Sequence, residues 1–322
     1  MGLNTVTILM SLSWATTGIK LGLIMCIMTL GVHIAYRILD TADLSIEGTF
    51  PLGCCVAAIL IFFKVPAIIA TIIAMIVGSG AGFITGILHT KLKIPMILAG
   101  IITMTGLYSI NLAILGFSDP NYLTVATLSF GDNTTVFCWF KELLVDMGMK
   151  VKMANNVSTL TISALFLVVV YVIMYWFFGT ELGMAIRSTG DNKTMSKAQG
   201  INTNKMTILG LMLSNGLIAL AGALFAQNSA TANVTSGRGM IVVGLAAIII
   251  GEVIFGRKTY KSQLVSLVVG TCIYYLLRAI AIELNVIEFL DLASAVLIVI
   301  ILALPLIKTK ILKNKKRGVA NA

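Results

Sequence analysis

Apolar residues run along the chain in long blocks separated by short polar breaks. Blocks long enough to cross a bilayer as helices, about 18 residues or more, fall at 16–38, 66–89, 94–116, 158–178, 206–228, 238–256, 262–283 and 290–307. Region 41–63 is apolar only in its second half. Three carboxylates, Asp40, Asp43 and Glu47, lie beside or within it, and Gly48, Pro51 and Gly53 punctuate it. Pro51 removes one intrahelical hydrogen bond and crowds the preceding turn. Irregular backbone at membrane depth is tolerated only where protein buries it or a wet cavity receives it. The pattern predicts an all-α polytopic membrane protein with about eight spanning helices and a broken or re-entrant segment near 41–63. A plain loop leading into a proline-kinked helix is the alternative for that segment. Residues 1–15 read as an amphipathic entry segment at the membrane surface.

Composition supports the membrane reading. Only 11% of residues are charged, against about 25% in a soluble domain. The 322 residues therefore read as one transmembrane domain, 1–322, set in a lipid bilayer. The net charge of +10 does not point to nucleic acid, because the basic residues are scattered through short loops and the C-terminal tail. Those loops set the orientation instead. Lys91 and Lys93, then Arg187, Lys193 and Lys197, then Arg257, Lys258 and Lys261, and finally the tail from Lys308 to Arg317 all face the cytoplasm under one topology. That topology puts the C-terminus inside and the N-terminus outside, with 117–157 as an external loop region and 181–202 as a cytoplasmic segment.

No catalytic group emerges. Gly251 to Thr259, GEVIFGRKT, resembles a phosphate-binding loop, but Arg257 occupies the slot the lysine needs. His33 and His89 are isolated, and the five cysteines show no metal spacing. Neither a metal nor a cofactor is expected in this chain.

Polar residues within apolar blocks carry the functional signal. One cluster is Thr103, Thr105, Tyr108, Ser109 and Asn111; others are Ser214 with Asn215, and Glu252. The expected solute pathway comprises Glu47, Thr49, Thr103, Tyr108, Asn111 and Asn215 around one central cavity. Such hydroxyls and amides also serve as plain interhelical hydrogen-bond partners. Gly78, Gly82 and Gly86, at GxxxGxxxG spacing, predict a face for close helix packing rather than a ligand site. The segment Glu181–Asn202, ELGMAIRSTGDNKTMSKAQGIN, is polar between two apolar blocks. Leu182, Ala185 and Ile186 form a small apolar stripe, Gly190 is expected to break the helix, Asp191 to cap a second one and Gly200 to end it.

ELGMAIRSTGDNKTMSKAQGIN closely resembles the cytoplasmic coupling segment of ABC importer permeases of the branched-chain amino-acid and ribose permease family. ADLSIEGTFPLG resembles that family's early broken segment. HTKLKIPMILAGIITMTGLYSINLAILG and LSNGLIALAGALFAQ resemble its following blocks. The likeness covers residues 16–307 and is closest to a subgroup of uncharacterised permeases, some associated with aromatic amino-acid uptake. Segment 117–157 departs from it. The resemblance implies a permease subunit of an ATP-driven importer in a bacterial cell membrane, bringing in a small solute such as an amino acid. It implies a second, identical permease subunit, two cytoplasmic ATPase subunits and an extracytoplasmic solute-binding protein. The ATPases would couple through Glu181, Gly183, Ala185, Arg187, Gly190, Asp191, Asn192, Ala198 and Gly200. An ion-coupled secondary transporter is the alternative, and it needs no ATPase dock. A membrane enzyme is the third class and has no cluster to support it.

Overall fold

The computed structural model describes residues 2–118, 126–130, 135–256 and 259–283, with side chains from Trp14 onward. Helix α1 (Gly2–His33) passes into a π-helical turn, Ile34–Ile38. There follow α2 (Ile46–Phe62), α3 (Ala67–Thr90), α4 (Met96–Gly116), strand β1 (Thr127–Ser129), α5 (Val136–Asp146) and α6 (Val151–Phe177). Next come α7 (Glu181–Asp191), α8 (Lys193–Ala198), α9 (Thr203–Ser229), β2 (Thr231–Asn233), α10 (Met240–Phe255) and α11 (Tyr260–Glu283).

Six helical spans among the described residues are long and apolar enough to cross a membrane: Trp14–Ile38, Ala67–Thr90, Met96–Gly116, Val151–Phe177, Thr203–Ser229 and Tyr260–Glu283. Helices α2 and α10 are apolar but shorter, 17 and 16 residues, at the lower end of the roughly 17–25 residues that span a bilayer core. The block expected at 290–307 lies outside the described residues. The interruption anticipated near 41–63 sits before α2, where Leu39–Ser45 is irregular and Asp40 adopts φ +51°. Pro51 lies inside a continuous α2. It has no N–H for the Glu47 carbonyl one turn back, and Gly237 packs against that carbonyl and the proline ring. Residues 2–15 continue α1 rather than forming a separate entry segment.

The described residues fall into two compact units, one within 23–245 and one within 2–22 and 246–283. In the larger unit α9 is central. Its sequence is rich in small residues, and its neighbours come close because neither side has bulk. A β-carbon on Gly78 would overlap Ala219, one on Gly82 would overlap the Leu211 carbonyl, and one on Gly86 would lie 3.0 Å from the Ile208 Cα. The glycine stripe of α3 is thus its contact face with α9. On the other side, Gly53 of α2 meets the Ala219 backbone and Gly222 of α9 meets the Phe50 carbonyl. The outward side of α3 carries Ile68, Ile69, Ile72 and Ile76, all exposed, as a surface against hydrocarbon requires. At one end of this unit β1 pairs antiparallel with β2, Leu128 opposite Ala232. Buried Gln227 holds that end, accepting from the Val136 N–H and donating to Thr71 Oγ1. In the other unit, α10 and α11 interlock through reciprocal glycines: Gly251 meets the Ser266 carbonyl and Gly270 the Ala247 carbonyl.

Candidate functional site

A cavity of about 370 Å³ opens beside the first turns of α2. Glu47, Gly48 and Pro51 of α2 line it, with Met104, Thr105, Tyr108 and Asn111 of α4 and with Val234 and Arg238 from the link between β2 and α10. The volume falls within the range of small-molecule sites, about 300–1,000 Å³. Glu47 is half-buried and its Oε1 accepts the Gly239 N–H at 3.1 Å. Asn111 is fully buried and donates from Nδ2 to the Gly48 carbonyl at 3.2 Å. Tyr108 is 44% exposed.

Of the six expected pathway residues, Glu47, Tyr108 and Asn111 share this cavity. Thr49, Thr103 and Asn215 do not line it. Thr49 donates to the Ser45 carbonyl one turn back at 3.0 Å, and Thr103 pairs with Thr85 at 2.9 Å between α4 and α3. Each hydroxyl is satisfied by a neighbour, the ordinary fate of such groups in a helix bundle.

Asn215 serves a buried polar cluster instead. Its Nδ2 donates to Asp43 Oδ2 at 2.8 Å and its Oδ1 accepts from Ser45 Oγ at 3.2 Å. The Ser45 N–H closes the cluster by donating to Asp43 Oδ1 at 2.9 Å. Asp43, Ser45 and Asn215 are all buried. The cluster therefore fixes the irregular link before α2 onto the middle of α9, and so sets where Glu47 stands in the first turn of α2. Replacing Asn215 by leucine removes the donor to Asp43 Oδ2 and the acceptor of the Ser45 hydroxyl. A loss of about 3 kcal/mol of stability is expected, since each orphaned buried group costs about 1–3 kcal/mol and a charged one more. Thermal unfolding in detergent checks it; a Tm equal to wild type would show the cluster to be unimportant.

Sequence reasoning passed over Arg238 because it stands at the head of an apolar block. The signal available was the triplet Gly237-Arg238-Gly239. Gly237 is pressed against α2, and Gly239 has φ +74°, a conformation that glycine adopts without penalty. The two glycines hold the cation at the rim of the cavity.

The segment 181–202 folds as two short helices, α7 and α8. Thr180 caps α7, its Oγ1 accepting the Gly183 N–H. Gly190 does not break the helix, which continues to Asp191. The break falls at Asn192, whose extended backbone (φ −157°) and side chain cap α8 by accepting the Met195 N–H at 3.0 Å. Asn192, not Asp191, is the cap. Gly190 is required for another reason: a β-carbon there would overlap the Ile38 carbonyl at the end of the π turn. Gly200, at φ +83°, ends α8 with the Gly200 N–H bonded to the Lys197 carbonyl and the Ile201 N–H to that of Ser196, a Schellman arrangement. Buried Ser196 fastens the pair, its Oγ bonding the Ser188 carbonyl at 2.7 Å and the Asn192 carbonyl at 2.9 Å.

The inner face of α7 carries Gly183, Ile186 and Thr189, all buried. Leu182 is exposed, so the apolar stripe expected from Leu182, Ala185 and Ile186 is rotated: Ile186 alone of the three is buried, and Ala185 is half-buried. Outward, Glu181, Arg187, Asp191 and Ala198 are exposed. Met184, Arg187, Ser188, Asp191, Asn192 and Met195 line a shallow groove of about 360 Å³.

Taken together, the spans and the polar two-helix segment packed on the bundle define a multi-pass α-helical membrane protein with a polar cavity. The chain matches the family described as the permease component of the branched-chain amino acid transport system over residues 14–305, and it belongs to that family of ABC transporter permeases. It is 36% identical to the tyrosine transport system permease protein of Clostridioides difficile strain R20291, over 87% of this chain and 88% of that one. It is 33% identical to the uncharacterized protein RP368 of Rickettsia prowazekii, over 74% of this chain and 77% of that one. It is 26% identical to the ribose import permease protein RbsC of Escherichia coli K12, over 72% and 66%. No solved structure matches it. The family is a transport component and not the catalytic subunit of its system.

Proposed function

We propose that this chain is the permease subunit of an ATP-driven importer for an amino acid or a closely related small solute. An extracytoplasmic binding protein delivers the solute. Two copies of the chain form the pathway, and two ATPase subunits dock on Glu181–Asn202 from the cytoplasm of a bacterial cell. The observation that carries this reading is the two-sided build of α7 and α8. One side presents the open groove with Met184, Arg187, Asp191 and Met195. The other is keyed through Gly190 to Ile38, the last residue of a spanning segment. A push on the outer side reaches the bundle without passing through a flexible joint. The 36% identity to a tyrosine transport permease favours an amino acid over a sugar as cargo.

The test is reconstitution of the chain into vesicles with its ATPase and binding protein. Uptake of labelled amino acid is expected to require ATP in the compartment of the ATPase. The purified chain alone is expected to hydrolyse no ATP, since Arg257 stands where a phosphate loop needs lysine. Uptake driven by an ion gradient with the ATPase omitted would favour the secondary-transporter alternative.

A further inference from the structure

The cavity at the start of α2 brings opposite charges into one small space. Glu47 supplies a carboxylate from α2, and Arg238 supplies a guanidinium from the link before α10. One oxygen of Glu47 is engaged by the Gly239 N–H, which fixes the side chain and leaves the second oxygen for a donor. The Gly48 carbonyl can only accept, so the amide nitrogen of Asn111 must face it. That leaves Asn111 Oδ1, buried and without a partner. Asn111 is fully buried, so it holds the cavity wall through its bond to Gly48 and offers a ligand no accessible atom. The remaining wall is apolar or aromatic: Pro51, Met104, Tyr108 and Val234.

We infer that this cavity is a transit site for a zwitterionic α-amino acid with a neutral, apolar or aromatic side chain. Its ammonium is received by Glu47, its carboxylate by Arg238. The proposal rests on the importer reading above and assigns the residues that recognise the cargo inside the permease. The alternatives are weaker on charge. A phosphate or dicarboxylate would meet Glu47, and a polyamine would meet Arg238. A neutral sugar would desolvate both charges and neutralise neither. A zwitterion matches both at once. The side chain then lies along Pro51, Met104 and Val234, with the Tyr108 ring available for stacking. The mutual spacing of Gly237 and Gly239 explains how Arg238 keeps its place: a side chain at Gly237 would strike the Glu47 carbonyl, and Gly239 holds a left-handed turn.

The experiment uses the reconstituted importer with its ATPase and binding protein, and separately the permease in nanodiscs without the binding protein. The probes are L-tyrosine, tyramine, which lacks the carboxylate, and 3-(4-hydroxyphenyl)propionate, which lacks the amine. Nanodisc-held wild type is expected to bind tyrosine in preference to either analogue. Glu47→Gln and Arg238→Gln are each expected to weaken tyrosine binding about tenfold or more, the scale of losing one charge-assisted contact. Arg238→Gln should at the same time narrow or abolish the preference for tyrosine over tyramine, and Glu47→Gln that over the propionate. Co-elution of each variant with the ATPase in size-exclusion chromatography shows that it folds and assembles, while uptake falls in step with binding. Wild-type uptake of tyrosine with undiminished binding and uptake in both variants overturns this proposal and leaves the importer reading standing. A wild-type complex that imports no amino acid overturns that reading and the proposal with it.

Discussion

Gly53→Ala is expected to cost the protein about 3 kcal/mol of stability, although alanine is the better helix former by about 1 kcal/mol. The added carbon would fall onto the Ala219 carbonyl, carbonyl carbon and Cα, all backbone atoms that no rotamer change can move aside. Helices α2 and α9 would have to separate, and with them the reciprocal contact of Gly222 on Phe50 and the bond from Cys54 Sγ to the Gly222 carbonyl at 3.1 Å. Gly80→Ala on α3 is the matching control. Nothing lies within 4 Å of a β-carbon there, so the same substitution is expected to leave stability unchanged or raise it by up to about 1 kcal/mol. Thermal unfolding of the two variants in one detergent measures the difference. Equal Tm values would mean that the close approach of α2 to α9 contributes nothing.

Gly190→Ala is expected to lower ATP-driven uptake by about tenfold or more while leaving ATP hydrolysis in place. The β-carbon would overlap the Ile38 carbonyl and lie 2.7 Å from the Ile38 carbonyl carbon and 3.0 Å from the Leu39 Cα. Helix α7 must then lift from the π turn. Leu39 in turn packs on Gly210 of α9, so lifting α7 loosens the junction through which a docked ATPase would reach two spanning helices. The exposed groove formed by Met184, Asp191 and Met195 is untouched, so docking should persist. Uptake and ATP turnover measured on the same vesicles separate the two effects. Full uptake would show that α7 transmits nothing through Gly190.

The site was legible in pieces. Glu47, Tyr108 and Asn111 stood out because ionisable and amide groups are expensive in apolar blocks, and the cavity gathers all three. Thr49, Thr103 and Asn215 gave the same signal on the same grounds. Their partners, the Ser45 carbonyl, Thr85 and Asp43, lie one turn away, 18 residues away and 172 residues away. Only the last pairing shows why a carboxylate in the 41–63 region is bracing rather than pathway. Arg238 gave a weak signal, since one cation at the edge of an apolar block reads as a boundary.

What the sequence determined by itself was local or statistical in its physics. Apolar block length and the excess of lysine and arginine in alternate loops define a polytopic bundle. The spacing of Gly78, Gly82 and Gly86 marks one helix face, and the residues from Gly190 to Gly200 mark a second short helix, though not its start at Asn192. The tertiary structure decided what depends on backbone proximity between distant segments. It made α2 and α10 shorter than the spanning helices. It gave Gly190 to the Ile38 carbonyl rather than to a joint, paired β1 with β2 across a hundred residues, and brought Arg238 and Glu47 to one cavity. No periodicity encodes such contacts. A glycine looks the same in sequence whether it bends the chain or admits a neighbour, and a charge looks the same whether it marks a membrane edge or faces a ligand.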